Sequence, residues 1–158
     1  PGGRPHAMTP LELYQRPGFL LRRLHQIAAA VFENACADLG LTTAQYGVLV
    51  IVHSEPGIDQ TRLARALAFD KVTVMRVLRG LEERGLVERV SSGRQKTLAL
   101  TAAGHELLVQ ARARAETASR RLMSPLDSDD QAQLVRLLQT LANGLADEAR
   151  APFVPLQR

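Results

Sequence analysis

Two helical stretches joined by only about three residues, and followed at once by two alternating segments, limit what this 158-residue chain can fold into. Asp59 is placed to cap a short helix from Gln60 to about Leu67, with Leu63, Ala64 and Leu67 turned inward. After Ala68 and Phe69, Asp70 caps a second helix from Lys71 to Arg84, whose apolar stripe is Val74, Val77, Leu78 and Leu81. Gly85 stops it. The connector has the length of a helix-turn-helix link. Next, Leu86–Val90 and Lys96–Leu100 alternate in polarity about the polar turn Ser91–Gln95, which predicts a β-hairpin.

A hairpin placed directly after a helix-turn-helix is a wing. Around this centre lie longer helical patterns. Pro17–Leu39 carries Leu20, Leu21, Leu24, Ile27, Ala28, Val31, Phe32 and Ala35 at helical spacing, with Gly40 as its stop. A helix with a threonine N-cap follows Leu41, holding Tyr46, Leu49, Val50 and His53, and ends before Glu55-Pro56-Gly57. Thr101 caps a helix to about Met123 with Leu107, Leu108, Ala111, Ala115, Ala118 and Leu122 on one side. Pro125 breaks it, and Asp127 with Asp130 resembles a capping box before a last helix bearing Leu134, Leu137, Leu138, Leu141 and Leu145. The expected fold class is mainly α with a small β-hairpin wing: a winged helix-turn-helix flanked by N- and C-terminal dimerisation helices. A helix over 102–123 spans roughly 30 Å, more than the centre can cover, so a second copy of the chain is the natural partner for its stripe. The expected organisation is a flexible lead over 1–10 with Met8 as the natural start, dimerisation helices over 11–40 and 102–150, a DNA-binding lobe over 41–101 and a loose tail over 151–158.

Composition narrows the function. The net charge is +4, yet the segment from Gln60 to Lys96 holds nine Arg and Lys against four acids, leaving the remainder slightly negative. A basic middle in a balanced chain suggests an anionic partner met by one region, the bland alternative being a solvated charged face. No run of about 18 apolar residues exists, so no membrane partner is expected. The opening residues lack the apolar stretch of a signal peptide, and a single cysteine, Cys36, excludes an internal disulfide; both favour the cytoplasm. The four histidines are scattered without metal-ligand spacing. Ser91-Ser92-Gly93 is no nucleophile elbow, no phosphate-binding glycine loop appears, and Asp127, Asp129 and Asp130 cluster where acids suit a helix start. No enzyme activity, metal or cofactor is expected.

The helix from Lys71 to Arg84 is the sharpest functional candidate. Its inward stripe leaves Lys71, Val72, Thr73, Met75, Arg76 and Arg79 outward. Thr and Arg can read base edges, Lys and Arg neutralise phosphate, and the odd apolar pair Val72 and Met75 suits thymine methyl groups. Gln60 and Thr61, opening the preceding helix, join this DNA-binding set. Arg94 at the hairpin tip suits a narrow minor groove, and Arg89 and Lys96 flank it to hold phosphates.

Here the residues meet a family. Leu41-Thr42-Thr43-Ala44-Gln45-Tyr46, Asp70-Lys71-Val72-Thr73-Val74, Leu81-Glu82-Glu83-Arg84-Gly85-Leu86-Val87 and Leu98-Ala99-Leu100-Thr101-Ala102-Ala103-Gly104 resemble, in order and spacing, the MarR family of winged-helix transcriptional regulators. With the flanking helices the resemblance covers about 17–150. The family's wing usually carries Asp-x-Arg; Arg94 takes the arginine position and Ser92 stands where the brace aspartate is expected.

The resemblance implies a homodimer on a pseudo-palindromic operator in double-stranded DNA, with recognition helices in successive major grooves about 34 Å apart. It also implies control, most often of a repressor, by a small aromatic carboxylate or phenolic effector that favours a conformer with misspaced recognition helices. Arg22, Arg23 and His25 on the first long helix, with Tyr46 and His53 on the second, are the candidates for that effector: cations for the carboxylate and an apolar wall for the ring. The phrase from Leu13 to Gln26 resembles the N-terminus of hydroxynicotinate-responsive members. Two alternatives stand beside this reading: a dimeric interaction module without sequence-specific DNA binding, and a cysteine-based redox regulator. Cys36, between two alanines near the end of its helix, reads better as buried packing.

Overall fold

A computed structural model describes residues 6–157; the expectations for residues 1–5 and Arg158 lie outside the described residues. Seven α-helices and one two-stranded sheet are described: α1 (Pro10–Tyr14), α2 (Pro17–Ala35), α3 (Thr43–Ser54), α4 (Gln60–Ala66), α5 (Lys71–Glu83), β1 (Val87–Ser92), β2 (Gln95–Leu100), α6 (Ala102–Met123) and α7 (Ser128–Gly144). This is a winged helix with long helices at both ends of the chain.

Local chemistry accounts for most boundaries. Thr42 and Gln45 form a reciprocal capping box at the start of α3. Asp59, Asp70, Thr101 and Asp127 each accept a backbone N–H three residues on, satisfying donors that a helix start leaves free. The α4 and α5 ends close by the same device. At α5, Leu86 N–H donates to Leu81 O at 3.0 Å with Gly85 left-handed between them (φ 70°). At α4, Phe69 N–H donates to Ala64 O at 2.8 Å, and the left-handed position is filled by Ala68 (φ 54°), a conformation that strains a residue with a Cβ.

Ahead of the first long helix, Thr9 and Glu12 cap the short helix α1, whose first residue is Pro10. Two expectations are corrected. The first long helix ends at Ala35 and tightens into a 3₁₀ turn, Ala37–Leu39, before left-handed Gly40. The hairpin turn is two residues, Gly93 and Arg94, rather than five, with register running from Val87↔Leu100 to Ser92↔Gln95. Gly93 takes φ 64° at the first central position, which allows a turn whose twist matches the strands, so they zip further than their polarity suggests.

The core sits where α3, α4, α5, α6 and the sheet converge. Leu49, Ile58, Leu63, Leu78, Leu81, Leu98 and Leu108 are fully buried there. Thr101 binds α6 to the α5–β1 turn by donating its hydroxyl to Gly85 O at 2.6 Å. Gly104 lies so close that a Cβ would stand 2.1 Å from Leu86 O. Of the long helices, α6 buries Leu108, Ala111 and Ala118 within the chain, whereas α7 buries no residue, and Leu20, Leu21 and Leu24 of α2 and Leu137, Leu138 and Leu141 of α7 are all exposed.

Candidate nucleic-acid interface and effector cavity

The capping of α5 by Asp70 fixes which face meets solvent. Thr73 N–H donates to Asp70 Oδ1 at 2.7 Å, and that bond holds the carboxyl below its ordinary range. Val74, Val77, Leu78 and Leu81 then point into the core. The opposite side carries Lys71, Val72, Met75, Arg76 and Arg79, all exposed, with Thr73 half-buried. Val72 is 75% and Met75 49% exposed, so this face is apolar as well as cationic, a combination suited to groove contact rather than mere solvation.

The structure separates the basic residues of the middle segment into two groups. Three of them have partners within the fold. Arg62 pairs with Glu55 at 3.1 Å. Arg84 donates to Leu39 O and Gly40 O at 2.8 and 2.9 Å, closing the 3₁₀ turn. Arg89 donates to Glu82 at 2.8 Å and to Gln60 Oε1 at 3.0 Å. Arg89 and Gln60, both expected at DNA, are therefore held by one another, and Arg89 also braces β1 to α5. Arg65, Lys71, Arg76, Arg79, Arg94 and Lys96 make no ion pair among the described residues and are exposed; Thr61 is exposed at the start of α4.

A second feature lies on the other side of α3. A cavity of about 280 Å³ opens between α2, α3 and α6, lined by Ala28, Phe32, Thr43, Tyr46, Ala115, Ala118, Ser119 and Leu122. Tyr46 packs on Phe32 with ring centroids 5.3 Å apart. Burial pushes its phenol up, and Arg112 of α6 pulls it partly back. Of the five expected effector residues, only Tyr46 lines this cavity. Arg22, Arg23 and His25 lie exposed on α2, with Arg22 over the Phe19 ring at 5.4 Å. His53 lies two turns further along α3, outside the cavity lining, its ring edge-on to His105 of α6 with centroids 5.4 Å apart. The α6 wall, with Ser119 and nearby Arg112, was missed because its residues are separated from Tyr46 by about seventy positions, and their small side chains read only as a packing stripe.

A helix-turn-helix, a two-residue wing and a free cationic helix face are features that can be compared with known proteins. Residues 39–96 match a MarR family model. The chain is 33% identical to the HTH-type transcriptional repressor Rv2887 of Mycobacterium tuberculosis over 129 residues, spanning 80% of this chain and 93% of that one. The chain belongs to the MarR family.

It is thus a transcriptional regulator of a DNA-binding, non-enzymatic family. Among solved MarR structures, the repressor CouR bound to a 23-mer DNA duplex superposes with a TM-score of 0.78 at 31% identity, covering 85% of this chain and 98% of that one. CouR is also known bound to p-coumaroyl-CoA. Bordetella bronchiseptica BpsR, whose DNA binding is regulated by 6-hydroxynicotinic acid, superposes with a TM-score of 0.77 at 26% identity, covering 85% and 98%. The present chain departs from the usual MarR wing at Ser92, which pairs with Gln95 across the turn. Cys36 is fully buried and burial pushes its thiol up, as expected of packing rather than of a redox switch. No described helix is long and apolar enough to cross a membrane.

Proposed function

We propose that this MarR regulator is a homodimeric repressor that binds a pseudo-palindromic operator and leaves it when a small aromatic acid fills the cavity between α2, α3 and α6. The observation that carries the reading is the outward face of α5, where exposed Val72 and Met75 sit among cations that make no ion pair among the described residues. Lys71, Val72, Thr73, Met75, Arg76 and Arg79 enter the major groove, with Thr61 and Gln60 at its edge. Arg94 reaches the minor groove, Lys96 holds a phosphate, and Arg89 steadies the wing. The chain over 11–40 and 102–150 forms the dimer through the leucines that α2 and α7 expose.

The cavity is lined mostly by apolar side chains, which suits the ring of an aromatic acid. Tyr46 and Ser119 supply polar contacts, and Arg112, with Arg22, Arg23 or His25 across the dimer, supplies charge for a carboxylate. Hydroxynicotinate is the first acid to test, because the 13–26 phrase and the BpsR likeness both favour it.

The test is binding to DNA flanking the protein's own gene at two salt concentrations, then with a panel of aromatic acids. Tight binding that weakens steeply with salt and is released by one acid supports the reading. Arg94→Ala is expected to lose about 1–3 kcal/mol of operator affinity. A folded dimer that binds neither flanking nor distant operators at low salt would make it an interaction module.

A further inference from the structure

Part of the chain after α7 packs on the central lobe. Val154 N–H donates to Arg65 O at 2.9 Å, a second partner for a carbonyl in the last turn of α4 that also accepts from Ala68 N–H at 3.4 Å. Leu156 is half-buried against the core, and Val154 to Gln157 lie along Arg62 and Arg65. This anchoring sets the preceding residues beside the recognition helix. Arg150 and Pro152 line one groove of about 430 Å³ together with Gln60, Thr61, Lys71 and Met75. Arg150 is exposed, and its guanidinium makes no hydrogen bond or ion pair among the described residues. The acid in that groove, Asp70, is engaged by Thr73 as the cap of α5.

Charge decides what such a segment can do. A tail that occludes a DNA-binding face by mimicking phosphate must be acidic. The acids Asp147 and Glu148 lie before it in a 3₁₀ turn, and from Ala149 to Gln157 this one carries Arg150 and no acid, so that stretch adds positive potential to the face on which it lies.

We propose that the segment from Arg150 to Leu156 is a DNA-binding arm, anchored on α4 by Val154 and Leu156, that places Arg150 against an operator phosphate next to Lys71. The proposal rests on the reading of α5 as the major-groove helix.

Operator binding of the full chain, measured as log K against log salt, tests it. Wild type, Arg150→Gln, Val154→Pro, the double variant and Arg76→Ala are compared, with circular dichroism to establish that each is folded. Arg150→Gln is expected to weaken specific and non-specific DNA alike by about three- to tenfold and to lower the salt slope by about 0.9, one phosphate contact. Val154→Pro, which removes the anchoring donor, should give the same loss, and the double variant no more. A slope for Arg150→Gln equal to wild type, while Arg76→Ala loses binding, would overturn the arm and leave the α5 reading standing. Tighter binding by Arg150→Gln or Val154→Pro would overturn it in favour of an occluding tail. Should wild type fail to bind any DNA, the α5 reading falls and the arm with it. Because Arg150 is exposed and unpartnered in the fold, its substitution keeps the test valid even if Val154→Pro destabilises α4.

Discussion

The central lobe and the last helix, α7, respond oppositely to being a single chain. Between α3 and β2 nearly every apolar stripe has found a partner: α5 buries Val74, Val77, Leu78 and Leu81, and Leu63 and Leu98 are shielded completely. By contrast, α7 has the same kind of leucine periodicity and buries none of it, with Leu141 52% and Leu145 60% exposed. Similar leucine periodicity therefore has unequal consequences. The lobe has enough elements to close around its own core, whereas the stripe of α7 is complete only against another surface.

That contrast can be broken from either side. Gly104→Ala should strike the lobe hardest. The added Cβ would meet backbone Leu86 O at 2.1 Å, and backbone cannot swing aside as a side chain can. A loss of about 3–4 kcal/mol is expected from urea unfolding, at every protein concentration. Leu141→Asp should do the reverse. It buries a carboxylate in the proposed dimer seam and weakens association by about 2–3 kcal/mol, while the fold of the lobe persists. Sedimentation would show monomer at concentrations where wild type is dimeric. Unchanged sedimentation would place the dimer seam elsewhere.

Smaller effects sharpen the picture. Arg114 of α6 fastens the end of α2, donating to Ala35 O and pairing with Asp38 through both terminal guanidinium nitrogens. The guanidinium holds the Asp38 carboxyl below its ordinary range. A lowered folded pKa means that the pair's contribution is present above the unfolded carboxylate value of about 4 and is lost as pH falls through the folded value. Asp38→Asn should therefore flatten the acid limb of a Tm-against-pH curve below about pH 4 and leave the alkaline limb alone. Last, Ala68→Gly should stabilise the lobe by about 0.5–1 kcal/mol, since Ala68 occupies the left-handed position that glycine holds at the end of α5. A drop in Tm would show that the strain at Ala68 is offset by contacts of its methyl group.

Much of this architecture was legible without coordinates, for a local reason. Asp59, Asp70 and Thr101 each cap the helix expected of them, and Gly85 ends α5, because caps and stops act within three or four residues; Gly40 instead closes the 3₁₀ turn that follows α2. The outward face of α5 followed from the period of its inward stripe. The wing was placed correctly and its turn drawn too long, since polarity marked Ser91 and Gln95 as loop whereas hydrogen-bond register keeps both in strands.

The sequence by itself determined the helices, their caps, the wing and the cationic face, all set by neighbours along the chain. Only tertiary structure decided which charges stay free for a partner. Arg89 is taken by Glu82 and Gln60, Arg84 by Leu39 and Gly40, and Arg114 by Asp38, which is 76 positions away. The same holds for the cavity beside Tyr46 and for the docking of Val154 on α4. Such contacts join segments that no periodicity relates. They form because burial of the core brings those segments together, and the polar groups left at its rim must then find whichever donors and acceptors arrive beside them.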